Sequence, residues 1–331
     1  MDTLTHALSG VLLARATAPK DAPPRSLPRR MAAGFLACAA PDLDFVVGFV
    51  GPVQYLENHR GVTHSLILLP LWALALSWLL AKILRQPGGW RALYGITAMA
   101  LGLHVAGDLI TSYGTMILAP FSDWRAGIGT TFIIDLWFSG IIVVGLVFSL
   151  ILRKTRIAAT ASLIALVGYV GFQYLQRERA LEFAAQHAAP GARITAHPRP
   201  VSPFNWTVYV SDDSTHRFAH INLDREEVKA YRPGDGFIAR IDSPYLPLDK
   251  AIWVERKRYG EVDEQFIEAA WRSEPLAFYR WFADLPALDG KEGNCAWFVD
   301  LRFDTPGRGA MPFRYGACRD APGQPWRLAT S

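Results

Sequence analysis

Leu66–Leu84, LILLPLWALALSWLLAKIL, holds nineteen residues and one charge, Lys82, close to its end. A helix crosses hydrocarbon with roughly 20 apolar residues, and buried helices of soluble proteins seldom run this far without a charged face. Two other stretches read alike: Phe132–Leu152 contains only Asp135, and Ile157–Leu175 contains no charge. Met31–Val53 and Ala92–Pro120 have the length but carry acids and a histidine. The count is five spans. MDTLTHALSGVLLARA at residues 1–16 is too short to span and lacks the basic start and cleavage site of a signal peptide. It reads as a short helix with Asp2 or Thr3 at the N-cap, lying at or dipping into the membrane.

Charge divides the 331 residues in two. Residues 1–175 carry 13 Lys/Arg and 8 Asp/Glu, out of chain totals of 34 and 30, so residues 176–331 hold most of the charge. The expected fold class is therefore an α-helical polytopic membrane domain over 1–175 and an α+β extramembrane domain over 176–331. No basic patch with interleaved aromatics appears, which argues against a nucleic-acid partner. With five spans the basic loops share one side: Lys20, Arg25, Arg29 and Arg30, then Arg85 and Arg91, then Arg153, Lys154 and Arg156. The positive-inside rule makes that side cytoplasmic and places the C-terminal domain outside, in the periplasm or cell exterior of a bacterium.

In the C-terminal domain, Trp206–Val210 and Arg217–Leu223 alternate around the polar turn 211–214 and predict a hairpin. Glu264–Ala283 has helical spacing. Cys295 and Cys318 are either a disulfide, as an oxidising compartment permits, or two free core thiols. His216 and His220, with Asp212 and Asp213 nearby, read as a solvated strand face, a second metal site being the alternative.

Ionisable residues inside spans are costly and point to function. Here they come in groups. Pro41-Asp42-Leu43-Asp44 breaks the first span, and Asp42 and Asp44 share one side if the chain beyond the proline is extended. In His59-Arg60-Gly61-Val62-Thr63-His64-Ser65 a spacing of five does not stack two histidines on a helix, so a turn at Gly61 is expected to bring both together. His104 and Asp108 are i and i+4 and point the same way. His6 lies on the N-terminal helix. Each residue alone has a bland reading, as a hydrogen-bonded core histidine or a helix cap. Together, His6, Asp42, Asp44, His59, His64, His104 and Asp108 are the ligand types of a divalent transition-metal site, and such groups are hard to bury without neutralisation.

The blocks MDTLTHALSG, PDLD, HRGVTHS and HVAGDLITSYGT, in this order, resemble the YdjM-like family of bacterial inner-membrane metal-dependent hydrolases over about residues 1–140. That family is distantly similar to zinc-dependent phospholipase C and the P1-type nucleases, α-helical phosphoesterases with clustered zinc. The resemblance implies a multi-pass inner-membrane protein with two or three divalent ions, zinc by analogy. Its ligands would be His6, an Asp of PDLD, His59 and the His104/Asp108 pair. The soluble enzymes have a second HxxxD pair that this chain lacks; Asp135 either supplies part of that shell or makes a helix–helix hydrogen bond.

The expected chemistry is hydrolysis by metal-activated water, most simply of a phosphoric ester. Asp44 or Asp108 would position or deprotonate the water. Arg60, expected at the membrane boundary, would hold a phosphate or snorkel toward headgroups. A site at that level favours a lipid or lipid-linked substrate from the bilayer. The alternative is an ion- or metal-translocating protein using the same cluster, although the sequence lacks the paired halves of such transporters.

Overall fold

The computed structural model describes residues 1–19, 26–152, 155–309 and 311–331. The basic positions Lys20, Arg25, Arg153 and Lys154 lie outside these. The chain forms two compact units, Met1–Tyr174 and Leu175–Ser331.

Helix α1 (Thr3–Ala16) is capped by Asp2, whose carboxylate accepts from Thr5 N at 3.0 Å. It does not lie at a surface: Thr5, His6, Gly10, Leu12 and Ala14 are all buried. The reason is its run of small residues. A Cβ on Gly10 would collide with the Gly34 carbonyl oxygen, and one on Gly34 with that of Gly10, so α1 meets α2 (Ser26–Ala39) backbone against backbone. At Pro41, which cannot donate to a preceding carbonyl, α2 tightens into a 3-10 helix over Ala40–Phe49. A short α3 (Pro52–Asn58) and a 3-10 turn, Val62–His64, precede α4 (Leu69–Ile83), with a bend of 83° between them. Then follow α5 (Arg91–Leu109), α6 (Leu136–Ile151) and α7 (Thr155–Ala185).

Among the described residues, three helical stretches are long and apolar enough to cross a membrane, Ser26–Phe49, Arg91–Leu109 and Arg156–Ala185, or four if the bent pair counts as one span. The stretch Ala92–Pro120 is helical only to Leu109. Thr111 Oγ1 donates to the Asp108 carbonyl at 2.8 Å, and Ile128 N and Thr130 N return to the carbonyls of Leu109 and Ile110. A polar loop thus satisfies the end of α5 and stops it. In Phe132–Leu152 the helix starts late, because Asp135 is its N-cap and accepts from Trp137 N and Phe138 N at 2.9 and 2.8 Å. The resulting 16 residues of α6 fall short of a full span.

In the second unit β1 (Arg193–Pro198), β2 (Asn205–Ser211), β3 (Thr215–Asn222) and, after α8 (Phe237–Asp242), β4 (Trp253–Lys257) form one antiparallel sheet in chain order. The helical stretch 264–283 is two helices, α9 (Glu264–Arg272) and α10 (Ala277–Phe282), parted at Ser273 and the 3-10 turn Glu274–Leu276 that contains Pro275. A second antiparallel sheet holds β5 (Pro286–Glu292), β6 (Cys295–Asp300), β7 (Tyr315–Cys318) and β8 (Arg327–Thr330). The expected β2–β3 hairpin is present, but β2 is buried along its whole length rather than on one face. Phe183 and Ala184 of α7 cover one side of the sheet, and Leu285, Ala287, Val299 and Leu301 pack against Tyr209 and Phe218 on the other. Cys295 and Cys318 are cross-strand partners and form a disulfide.

The histidines of β3 correct the solvated-face expectation. His216 is buried between Ser211 Oγ at 2.8 Å and the Pro286 carbonyl at 3.0 Å, and His220 Nδ1 meets Thr207 Oγ1 at 2.9 Å. Asp212 is spent on the turn, accepting from Ser214 N and Thr215 N. Among the described residues these four do not form a metal-binding group.

Candidate metal centre

The polar residues of the first unit gather where α1, the end of α2, the 59–64 turn and α5 meet. His6 comes from α1 and reaches Asp108 Oδ1 at 3.1 Å. The chain beyond Pro41 is 3-10 rather than extended, yet Asp42 and Asp44 are both buried, with Leu43 exposed between them, and both approach His64, Asp44 Oδ2 lying 3.5 Å from its Nδ1. Asp42 Oδ1 lies 3.6 Å from His104 Nε2 and 3.9 Å from His64 Nε2. Asp44 instead takes His59 Nδ1 at 2.7 Å, and Arg60 N and Thr63 Oγ1 at 3.0 Å each.

The two histidines of the second block do converge, but Arg60 makes the turn, with φ 60°. Gly61 is needed for room: a Cβ there would stand 2.7 Å from the Asn58 carbonyl oxygen. As the i, i+4 spacing predicts, His104 and Asp108 share a face of α5, Nε2 to Oδ2 3.3 Å. His64 Nε2 is 3.1 Å from that same oxygen and 2.9 Å from His104 Nε2.

The protons on these rings follow from their outer contacts. The Cys38 carbonyl, 2.6 Å from His104 Nδ1, can only accept, so Nδ1 carries the proton and Nε2 of the neutral ring presents a lone pair inward. Thr63 Oγ1 donates to Asp44 and so accepts from His64 Nδ1 at 2.9 Å, which leaves His64 Nε2 bare as well. Two lone pairs and a carboxylate oxygen then face one another, and among the described residues Asp42 Oδ2 and Asp108 Oδ2 have no hydrogen-bond donor. Such an arrangement repels unless a cation or a proton sits within it.

An ion held tetrahedrally at about 2.0–2.1 Å spaces its ligands roughly 3.3 Å apart. The spacing between His64 and His104, and those from either ring to Asp108 and to Asp42, run from 2.9 to 3.9 Å. The donor set therefore fits a divalent metal, and a histidine whose far nitrogen donates to a carbonyl is oriented as metal-ligating histidines are. Ligand atoms of His6, Asp42, His104 and Asp108 also lie within 4.8 Å of one another, as do those of His6, Cys38 and His104. His59 and Asp44 form a neighbouring pair at the more accessible edge, His59 with 13% of its side chain exposed.

Arg60 is buried within the protein and neither free for a phosphate nor extended to the surface. It is 2% exposed, with Nη2 2.8 Å from Asp108 Oδ1, Nη1 donating to Thr111 Oγ1 at 2.9 Å, and its guanidinium over the Tyr113 ring. The Met1 amino group also bonds Asp108. Asp135 stands apart as the cap of α6, its carboxylate accepting from Tyr169 Oη at 2.8 Å. Thr63 and Thr111 lie inside the motif blocks, whereas the hydrogen-bonding role of Cys38 had no signal in the sequence beyond its closeness to PDLD.

Two comparisons bear on this centre. A curated relative, the uncharacterized protein YfhP of Bacillus subtilis (strain 168), is 31% identical over 132 residues, which is 39% of this chain and 40% of that protein. No solved structure matches. The family model described as YdjM inner membrane protein matches residues 1–180, so it takes in α1 through α6, every residue of the polar cluster and most of α7. The chain belongs to the YdjM inner membrane protein family.

Proposed function

We propose that this protein is a membrane-bound, metal-dependent hydrolase acting on phosphoesters of lipids or lipid-linked molecules. The observation that carries the reading is the convergence of His64 Nε2, His104 Nε2 and Asp108 Oδ2, two lone pairs and an undonated carboxylate oxygen within 2.9–3.3 Å. His64, His104, Asp108 and Asp42 hold the ion, with zinc favoured by the mixed imidazole and carboxylate set. The sequence reading expects two or three ions; this set accounts for one. A bound ion supplies Lewis acidity toward a phosphoryl oxygen and lowers the pKa of water.

The other groups hold and move protons. Asp44 fixes the His59 ring through Nδ1 at the accessible edge, where the imidazole can take a proton from water or return one to a leaving group. Arg60 acts through Asp108, balancing its charge and setting its orientation. In the same proposal the protein crosses the membrane five times, with α6 as a short span. The basic loops are cytoplasmic, and the C-terminal unit lies in the periplasm or outside.

The test is metal content of the purified full-length protein, beside hydrolysis of lipid and lipid-linked phosphoesters by wild type and Asp108→Asn. Bound divalent metal with hydrolysis lost in the variant supports the proposal. Bound metal with no hydrolysis, and metal flux in proteoliposomes, replaces it with the translocating alternative.

A further inference from the structure

The C-terminal end of α1 gathers three arginines. Arg15 donates to the Ser149 carbonyl and approaches Met31 Sδ at 3.5 Å. Arg30 donates to the carbonyls of Ala14 and Thr17, both at 3.2 Å, and to Thr17 Oγ1 at 2.8 Å. Arg156 donates to the Ala16 carbonyl at 3.0 Å. Every one of these acceptors is neutral. A simple role as C-terminal caps does not absorb the charge, since a helix end carries only about half a negative unit and two ends, α1 and α6, meet here. Three guanidiniums exceed that by about two charges.

Beside the arginines a groove of about 720 Å³ opens along α1 and α2, lined by Val11, Leu27, Met31, Phe35 and Leu36, with Arg15 its one charged wall. Arg15 is 6% exposed and its Nε has no partner. We infer that this groove binds an anionic phospholipid. The apolar walls take an acyl chain, and the Arg15 guanidinium, supported by Arg30 and Arg156, takes the phosphate through paired charge-assisted hydrogen bonds. Nine residues of α1 separate Arg15 from His6, about 13–14 Å along the axis, so this lipid is a tightly held component of the fold and not a substrate of the metal centre. A zwitterionic lipid brings its own cation to the arginines, and free phosphate brings no chain for the groove.

The experiment uses full-length protein in neutral detergent, with native mass spectrometry and thermal melting in the presence of dioleoyl phosphatidylglycerol, dioleoyl phosphatidylcholine or inorganic phosphate. Phosphatidylglycerol is expected to stay bound and to raise the melting temperature, the other two to do neither. Arg15→Gln and Arg30→Gln should each weaken its retention about fivefold. Ala32→Trp, which fills the groove and leaves the charges, should weaken it too while bound metal stays at the wild-type level. Should Arg15→Gln fail to fold, the other two variants carry the test. Equal retention of both lipids overturns the inference, as does phosphate binding that matches phosphatidylglycerol, or retention unchanged in the variants.

Discussion

Arg60→Gln separates two roles for this side chain. The guanidinium and Asp108 are both buried, 2.8 Å apart, and the arginine has no other carboxylate within ion-pairing distance among the described residues. Removing one member of a buried pair costs about 3–5 kcal/mol where the other charge is stranded, and the Met1 amino group, which also bonds Asp108, makes that the upper bound here. For a unit of this size each kcal/mol moves the melting temperature by roughly 2–4 °C, so a fall of up to about 6–20 °C is expected. Arg60→Lys keeps the charge but loses the fork to Thr111 Oγ1, a loss nearer 1 kcal/mol. Thermal melting in detergent, with metal content measured on the same samples, reads both effects. Saturating metal should shrink the Arg60→Gln loss, because a cation then meets the charge of Asp108. Wild-type melting and wild-type metal content, with only a rise in KM, would refute this reasoning and make Arg60 a substrate clamp.

Asp42→Asn and His104→Ala should each lower bound metal per chain, measured by elemental analysis, whereas Asp135→Ala should leave it unchanged and cost about 1 kcal/mol as a lost cap. Cys295→Ser should destabilise the second unit by about 3 kcal/mol in the chain-entropy view of a 23-residue separation, and non-reduced peptide mapping should show the bridge. Burial, with Arg199 adding to it, holds His220 down to about 3 from 6.5. A histidine kept neutral in the fold contributes stability above its unfolded pKa and loses it as pH falls, so at pH 5 about 2 kcal/mol should be gone. Amide exchange over β1–β3 in the full chain should show that acid loss flattened in His220→Gln. Reporter fusions after Leu175 should be active only outside the cytoplasm, and cytoplasmic activity there removes the five-span proposal.

Apolar length made the helical half readable, since nineteen residues with one charge leave few other structures open. The i, i+4 pair on α5 and the hairpin around 211–214 were also readable, because both rest on local periodicity. What failed was set by tertiary partners. Asp42 and Asp44 reach one cluster through a 3-10 winding instead of an extended chain, and the His64 ring they share lies about twenty positions away. Arg60 reads as a boundary residue from its neighbours in sequence, yet the residue that buries it, Asp108, lies 48 positions away. The length of α5 depended on whether a distant loop would satisfy its last carbonyls, and no window of the sequence contains both. In the second unit β2 is covered on both faces by elements before and after it, so its alternation did not report exposure.

The position of α1 shows why the centre and the fold cannot be separated. Lipid tails are as apolar as leucine, so apolar burial alone gives a short helix little reason to leave the bilayer surface and enter a bundle. The contacts that hold α1 are of two other kinds. One is the backbone approach at Gly10 and Gly34. The other is a row of polar bonds at its N-terminal half: Asp2 N to the Ile133 carbonyl, Thr5 Oγ1 to Ser139 Oγ at 3.0 Å, and His6 to Asp108. His6 also stacks on the His104 ring at 3.8 Å between centroids. Weakening the ligand set therefore loosens the helix, and loosening the helix withdraws His6 from Asp108. A variant such as His104→Ala removes a ligand and a stacking partner together, so its loss of metal and its loss of stability have two causes. Asp42→Asn keeps the side-chain volume and leaves both stacked rings in place, although Asp42 Oδ1 lies 3.6 Å from His104 Nε2. Of the two variants, it is the one whose metal content reports more directly on ligation.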